Sequence, residues 1–585
     1  MVRLLAAENG SWQAFFPHRS GGELTSAAFR VQFPDMSARR VFGTLDPFFE
    51  GGDVMGRKVA NAAFMRTLLR ADPFDAYHFF PPGERMAQAL AADLTREAPE
   101  LMASGRVRIM PRLELPARLA DTAYHCFHLS DCMLSQPHLA RLRRLHAPRP
   151  MPVTGGIHSL SRADYMAAFL PHLWPGATGR EAIVCTSRAG RAAVAAFFES
   201  LREAYGLDAV RFPGPRLETI GLGVDASAIA PPGPAARKAA REAAGIPTDA
   251  VAALVLGRLE HHSKMDLLPL LRAFQLAFAG RLARGSAHLI LAGWGSEDDE
   301  ILPVVRSLAA NIGLGLTVRL RPSEADKAAL LAAADYFLSP SDNVQETFGL
   351  TLLEAGAAGL PVLASDYDGY RDIVVHEETG LLVPTVGPAA TTALDALARL
   401  LPDNQAHLLL AQQTAVDVAL LAEGITRLCT DEALRCRLGV AARTRVEGRF
   451  TWEAVVAAHL EMWERLWAEP VKAADQLCLT PHPLHLPYAR VFAAHPAQSG
   501  LSGLRLTRSR AGEAVYRGQE HPLFYAGVSH LVDAGRLRAL LVLARAPLDG
   551  EELAQRLARA LPGCDAEAAS FIVLWALKHG YLERA

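Results

Sequence analysis

Lysine is scarce in this chain. Only Lys58, Lys238, Lys264, Lys327, Lys472 and Lys578 occur among 60 basic residues, and arginine supplies the other 54. Together with abundant alanine, the skew reads as the coding bias of a GC-rich genome. It also makes a lysine inside a motif more informative than usual. Net charge is nearly missing as well: 62 acidic residues against 60 basic ones leave −2. No global positive field is available to hold nucleic acid or an anionic membrane. The seven cysteines (Cys126, Cys132, Cys185, Cys429, Cys436, Cys478 and Cys564) include no C-x2-C pair, which argues against structural zinc. An odd, scattered set points to a reducing compartment. No apolar run reaches the roughly 18 residues of a membrane span. The opening MVRLLAAENGSWQAFFPHRSGG has no apolar signal core. These absences predict a cytoplasmic protein with at most peripheral membrane contact.

Core-forming residues, by contrast, are plentiful. Half of the 585 residues are hydrophobic and 21% are charged, which excludes a disordered chain and a small disulfide scaffold. Length alone suggests about four domains. From about residue 40 the pattern alternates. RRVFGTLDPFF (39–49) reads as a strand, EGGDVMG (50–56) as a glycine loop, RKVANAAFMRTLLRA (57–71) as a helix and DAYHFFPP (75–82) as a strand, which is a βαβ unit. Strand-like runs recur at 106–110, 124–129, 151–158, 181–187 and 216–225, with a helix at 191–206. After a Pro- and Ala-rich linker (226–248) a second series follows. Its strands fall at 251–259, 287–295, 316–320, 335–341 and 361–365, and its helices at 266–278, 326–334 and from about Gly349. Continuous apolar strands of this kind suit parallel sheets covered on both faces. The prediction is an α/β protein of two facing Rossmann-like domains, residues 1–228 and 229–449. A crossover helix (450–470) and a small, mainly helical C-terminal domain (471–585) follow.

Four signals in the second domain carry chemistry. GRLEHHSKMD (257–266) sets Arg258 and Lys264 just past a strand, where open α/β sheets bind ligands and where two cations can clamp a pyrophosphate. LILAGWG (289–295) ends a strand at Gly293 and Gly295. SPSDNVQETFGLTLLEAGAAGLPVLASD (339–366) places Glu346 and Glu354 eight apart around a helix start at Gly349, whose free N–H groups suit phosphate. DYDGYRDIVVHEETGLLVP (366–384) adds turns at Asp368–Gly369–Tyr370 and Thr379–Gly380. Singly, each is compatible with an ordinary capped helix or solvated loop; in the third, the F-G between the glutamates, the preceding S-P-S and the following A-G-L-P-V argue against coincidence. His261 and His262 read as solvated loop, whereas Asp121, His128 and Asp131 lie near a strand end where they could touch a second substrate.

In their order and spacing these segments resemble the retaining glycosyltransferases of family 4, and FTWE (450–453) is similar to that family's crossover helix. The resemblance covers roughly residues 40–470, specifically in the second half and loosely in the first. It implies the GT-B fold, a nucleotide-diphosphate-sugar donor in the second domain and an acceptor mainly in the first. It also implies retention at the anomeric carbon, with neither metal nor other cofactor. Carried over by residue, it implies that Arg258 and Lys264 hold the donor diphosphate, Glu346 the transferred sugar and Glu354 the ribose. Gly293 lies by the donor, and Phe348, Gly349 and Leu350 offer backbone N–H groups. Gly51 and Gly52 match the family's glycine loop. His158 in GGIHSLSR matches its histidine beside sugar and acceptor. HSLSR also resembles the H-S-L-x-R of sucrose-phosphate synthase-like members.

Two segments depart from that pattern. The Ala- and Leu-rich stretch 385–416 reads as a helical insertion, most simply a surface hairpin, or else one that packs on the second domain or mediates self-association. Residues 471–585 read as a winged-helix-like module with a hairpin at 504–518. Its helices lack a dense basic face, so a protein-docking or self-associating role fits better than DNA binding. The acceptor stays open among a sugar, a lipid-linked glycan and a protein. The rival reading is a non-catalytic binding or regulatory protein acting through the C-terminal module.

Overall fold

Strands that are apolar along their whole length have no face to show to water, so helices must cover both sides of the sheet they form. The computed structural model describes residues 4–6, 11–14, 29–32, 40–50, 56–295, 301–472, 479–482 and 484–585, and it builds two such sheets. The first comprises β1 (Val41–Thr44), β2 (Ala76–Phe79), β3 (Val107–Ile109), β4 (Tyr124–Leu129), β5 (Val153–Gly156), β6 (Glu181–Cys185) and β7 (Arg216–Thr219). Their order is β7-β6-β5-β4-β1-β2-β3, and every neighbouring pair is parallel. The second comprises β8 (Val251–Leu256), β9 (Ala287–Gly293), β10 (Gly315–Leu320), β11 (Tyr336–Ser339), β12 (Val362–Ser365) and β13 (Gly380–Val383). Their order is β10-β9-β8-β11-β12-β13, again parallel throughout. Both are Rossmann-like α/β sheets. Strand order reverses once in each, between β1 and β4 and between β8 and β11. The crevice outside the carboxyl ends at such a reversal is where these sheets take ligands.

Five helices frame or brace these two crevices: α1 (Gly56–Ala71), α2 (Arg188–Tyr205), α3 (Leu350–Ala357), α4 (Asp403–Ala411) and α5 (Trp452–Ala468). The Pro- and Ala-rich linker contains a helix at Pro234–Ala244. The chain later returns to the first half through α5, capped by Thr451, whose hydroxyl accepts from the Ala454 N–H at 3.2 Å. At the crossing Val224 N–H donates to Phe450 O at 2.8 Å. Trp463, Met462 and Leu466 of α5 then join Phe42, Phe74 and Tyr77 in one core cluster. The indoles keep their N–H groups satisfied: Trp463 donates to Thr154 Oγ1 at 3.0 Å and Trp467 to His125 O at 2.6 Å. The two halves also touch directly. Arg188 N–H donates to Asp372 at 2.7 Å, and the Ser187 hydroxyl to Asp368 at 3.4 Å.

Segment 385–416 is not wholly helical. A short antiparallel ribbon, Thr385–Val386 against Ala415–Val416, closes its base, and a helix at Thr392–Leu397 precedes α4. Nearer the start, Leu4–Ala6, Ser11–Ala14 and Phe29–Gln32 form a three-stranded antiparallel sheet, a region whose sequence carries no clear pattern.

His485–Ala585 is a separate compact unit. It packs helices Arg510–Tyr516, Ala534–Leu543, Gly550–Ala560 and Ala566–Lys578 around one apolar core. A three-stranded antiparallel sheet accompanies them, with Arg505–Arg508 between Leu548–Asp549 and Leu582–Arg584. The expected hairpin at 504–518 is absent. After its strand the chain turns at Ser509, whose hydroxyl caps the next helix by accepting from Gly512 N–H at 3.0 Å.

Trp463 is fully buried, so Trp463→Ala removes a large core side chain and its hydrogen bond together. We expect a loss of about 3–5 kcal/mol, measured as a lowered midpoint of chemical denaturation.

Candidate functional site

The reversal point of the second sheet is opened by two tight backbone approaches. Gly293 ends β9 at φ +145°, and a Cβ there would stand 1.6 Å from Gly257 O, so no other residue fits. Gly349, at φ +110°, starts α3 with its Cα against Tyr370; a Cβ would lie 2.6 Å from Tyr370 Cε1. The first contact holds the end of β9 against the loop after β8, and the second holds the start of α3 against the turn after β12.

An ion pair joins the loop after β8 to the loop after β11. Lys264 Nζ donates to Glu346 Oε2, and the two side chains are only 11% and 13% exposed. Tyr370 bridges them. Its hydroxyl accepts from Lys264 Nζ and donates to Glu346 Oε2, each at 3.0 Å. With its proton so committed, it accepts from Ser339 at 2.8 Å. Glu346 Oε1 faces the N–H groups of Thr347 and Phe348 at 3.3 and 3.4 Å. Burial is the largest influence on both charges and opposes both. Their mutual attraction and hydrogen bonds override it, so Lys264 lies above its ordinary range and Glu346 below. Burial, then Glu346, pushes Tyr370 up to about 12. Removing one partner of such a pair strands a buried charge, at a cost of about 3–5 kcal/mol.

Arg258 sits on the rim. Nη1 donates to Gln345 Oε1 at 3.1 Å and Nη2 to Ser263 O at 2.9 Å. Gly349 and Leu350 lie at the amino end of α3, where the first N–H groups lack helical acceptors, and Phe348 is buried beneath it. Glu354 is one turn into α3 and engaged: Lys327 Nζ donates to its Oε1 at 2.8 Å. A carboxylate has about four lone-pair sites, so this ammonium leaves acceptor capacity for a diol. Burial, only partly offset by Lys327, raises the Glu354 carboxyl.

His158 lies at the carboxyl end of the first sheet. Its Nε2–H donates to Ser130 O at 2.6 Å, and burial lowers it to about 4, so it is neutral at physiological pH. Ser130 in turn donates its N–H and hydroxyl to Asp46 Oδ2 at 2.8 and 2.9 Å. Asp46, Ser130 and His158 thus tie the ends of β1, β4 and β5 at the first reversal point. Among the described contacts none joins His158 to Lys264 or Glu346. Gly51 and Gly52 lie outside the described residues. His128 is core: it is buried against Phe64, His459 and Trp463. Asp131 caps the local turn, accepting from Met133 N–H at 2.7 Å, and Asp121 pairs with Arg118 on the surface. No sequence motif marks Lys327, Asp46 or Ser130 as part of a site, and Gln345, though inside the 339–366 segment, is not singled out by it. Tyr370 leaves a trace there only as part of a turn near the pocket.

A cavity of about 440 Å³ opens beside Glu346 and Asp368 and runs along Gly190, Ala193 and Phe197 of α2, so both halves line it. A larger one, about 710 Å³, lies away from the ion pair around Arg188, Arg445 and Phe450. Among the described residues no group of three or more His, Cys, Asp or Glu is placed to hold a metal ion, and no helix is long and apolar enough to cross a membrane.

Residues 236–415, which contain this ion pair, match the family described as Glycosyl transferases group 1. The phosphatidyl-myo-inositol mannosyltransferase of Mycobacterium leprae is 28% identical over 268 residues, 45% of this chain and 55% of that protein. The D-inositol 3-phosphate glycosyltransferase of Thermobispora bispora is 33% identical over 195 residues, 33% of this chain and 44% of that protein. The chain thus spans about half the length of the curated relatives it matches. Among solved structures, Anabaena HepE in complex with UDP and glucose aligns at 15% identity and a TM-score of 0.45, covering 73% of this chain and 100% of that one. Sucrose-phosphate synthase from Thermosynechococcus elongatus aligns at 18% identity and a TM-score of 0.44, covering 74% and 99%.

Asp342, next to the ion-pair loop, gives a pH test. It is buried, its Oδ1 has no hydrogen-bond partner, and burial raises its carboxyl to about 7. The folded state therefore holds this proton more tightly than the unfolded state, and the stability it confers is lost as pH rises from about 4 to 7. Asp342→Asn removes the titration. The melting temperature of the variant relative to wild type should climb between pH 5 and pH 8, and a difference independent of pH would contradict the assignment.

Proposed function

We propose that the chain is a glycosyltransferase that moves a sugar from a nucleotide-diphosphate-sugar to an acceptor with retention at the anomeric carbon. The observation that carries this reading is the buried Lys264–Glu346 pair with Tyr370 at the reversal point of the second sheet, inside the segment that matches Glycosyl transferases group 1. In this reading Lys264 and Arg258 take the donor diphosphate and stabilise the negative charge that grows on it as the glycosidic bond breaks. The N–H groups at the start of α3 face the same charge. Glu346, already an acceptor for Lys264 and Tyr370, receives a sugar hydroxyl, and Glu354 receives the ribose diol.

Glu346 and Glu354 each hold a lysine, so in this reading they bind hydroxyls and do not form the two-carboxylate pair of a glycosidase. The acceptor oxygen then bonds to the anomeric carbon on the face the diphosphate leaves, and the departing phosphate oxygen takes the acceptor's proton. The acceptor enters from the first half, along the cavity between α2 and Glu346, with neutral His158 and its Ser130–Asp46 support at that side. Sugars, lipid-linked glycans and proteins all remain open as acceptors. The reaction uses no further cofactor in this reading and runs in the cytoplasm, with at most peripheral membrane contact. The strand and helix order of His485–Ala585 supports a winged-helix-like module; in this reading it docks a protein or a second copy.

A mass-resolved screen of UDP-, GDP- and ADP-sugars tests the proposal through slow donor hydrolysis. One donor should be cleaved, and Lys264→Ala or Glu346→Ala should each lower kcat/KM at least about 100-fold. Cleavage of none, or a transfer product of inverted anomeric configuration, would overturn the corresponding part of the reading.

A further inference from the structure

The insertion 385–416 is hung on the end of β13, at the carboxyl edge of the second sheet, and α4 carries it across to the first half. Arg399 donates to Ala163 O at 3.3 Å, and Arg162 lies 3.3 Å from Asp403. These contacts are exposed. His407 is not: at 3% exposure it is buried between both halves. Its Nε2 lies 3.1 Å from Ser161 O, three residues after His158, and its Nδ1 lies 2.7 Å from Gln345 Nε2, next to Glu346.

The chemistry of these partners leaves one arrangement. Ser161 O can only accept, so His407 Nε2 carries the proton and Nδ1 presents a lone pair. That lone pair takes an N–H of the Gln345 amide, which turns Gln345 Oε1 toward Arg258 Nη1, 3.1 Å away. If the amide were reversed, its NH₂ group would face the guanidinium and the contact would become repulsive. With Nη2 held on Ser263 O, Arg258 has two of its donors tied and its plane set.

The geometry points to His407 as a positioning residue for the donor diphosphate: the insertion delivers it to fix the Gln345 amide, and through that amide the Arg258 guanidinium. This inference rests on the proposed role of Arg258 in holding the donor. It also assigns the insertion a task at the site, in place of a surface hairpin.

The test is calorimetric binding of UDP, GDP and ADP to the full chain, carried on with whichever binds. His407→Ala should weaken that nucleoside diphosphate about tenfold, the worth of one hydrogen bond to a charged group. His407→Asn, whose side-chain oxygen can stand in for Nδ1, should restore most of the affinity. His407→Gln, which keeps only the Ser161 contact, should not. Gln345→Ala should weaken binding as His407→Ala does, and the double variant no further than either. Should His407→Ala fail to fold, the Asn, Gln and Gln345→Ala proteins still decide. Wild-type affinity in His407→Gln and Gln345→Ala, or additive losses in the double variant, would overturn the positioning role while leaving the donor reading intact. Absence of binding by the wild-type protein to all three nucleotides would overturn the donor reading itself.

Discussion

The contact between Lys264 and Glu346 organises the second half of the molecule. Two charges this far from water are tolerable only when each satisfies the other and the remaining donors and acceptors are filled. Tyr370 and Ser339 fill them on one side, and the N–H groups of Thr347 and Phe348 on the other. The pair therefore fixes the loop after β8, the loop after β11 and the turn after β12 relative to one another.

The sheets set where this can happen. Each reverses strand order once, and each collects polar groups at that point: Lys264, Glu346 and Arg258 in the second half, Asp46, Ser130 and His158 in the first. Helix α5 makes the arrangement durable by returning the chain to the first half and burying Trp463 there. The insertion adds a second link on the site side, where His407 meets Ser161 of one half and Gln345 of the other.

Much of this is legible in the sequence because its signals are local. Apolar strands followed by glycine turns mark both sheets, and Arg258, Lys264, Glu346 and Gly349 sit in runs whose spacing means something before any folding. What escapes depends on distant partners. Gln345 and His407 are 62 residues apart, Lys327 and Glu354 are 27 apart, and Asp46 and Ser130 are 84 apart; no periodicity links them. His128 misleads in the opposite direction, since a histidine at a strand end looks like a site until the aromatic rings around it are seen. The hairpin expected at 504–518 fails because the alternation of LRLTRSR stops at Ser509, an ordinary N-cap for the helix that follows. Lysine is scarce, yet two of the six, Lys264 and Lys327, hold the two glutamates that stand eight positions apart.

If the Lys264–Glu346 pair marks the seat of a donor diphosphate, a crystal structure with a bound nucleoside diphosphate tests it most directly. The diphosphate should lie within hydrogen-bonding distance of Lys264 Nζ and the Arg258 guanidinium, over the first turn of α3, with the ribose diol on Glu354. A nucleotide seated elsewhere, with Lys264 bound to Glu346 and Tyr370 alone, would contradict it.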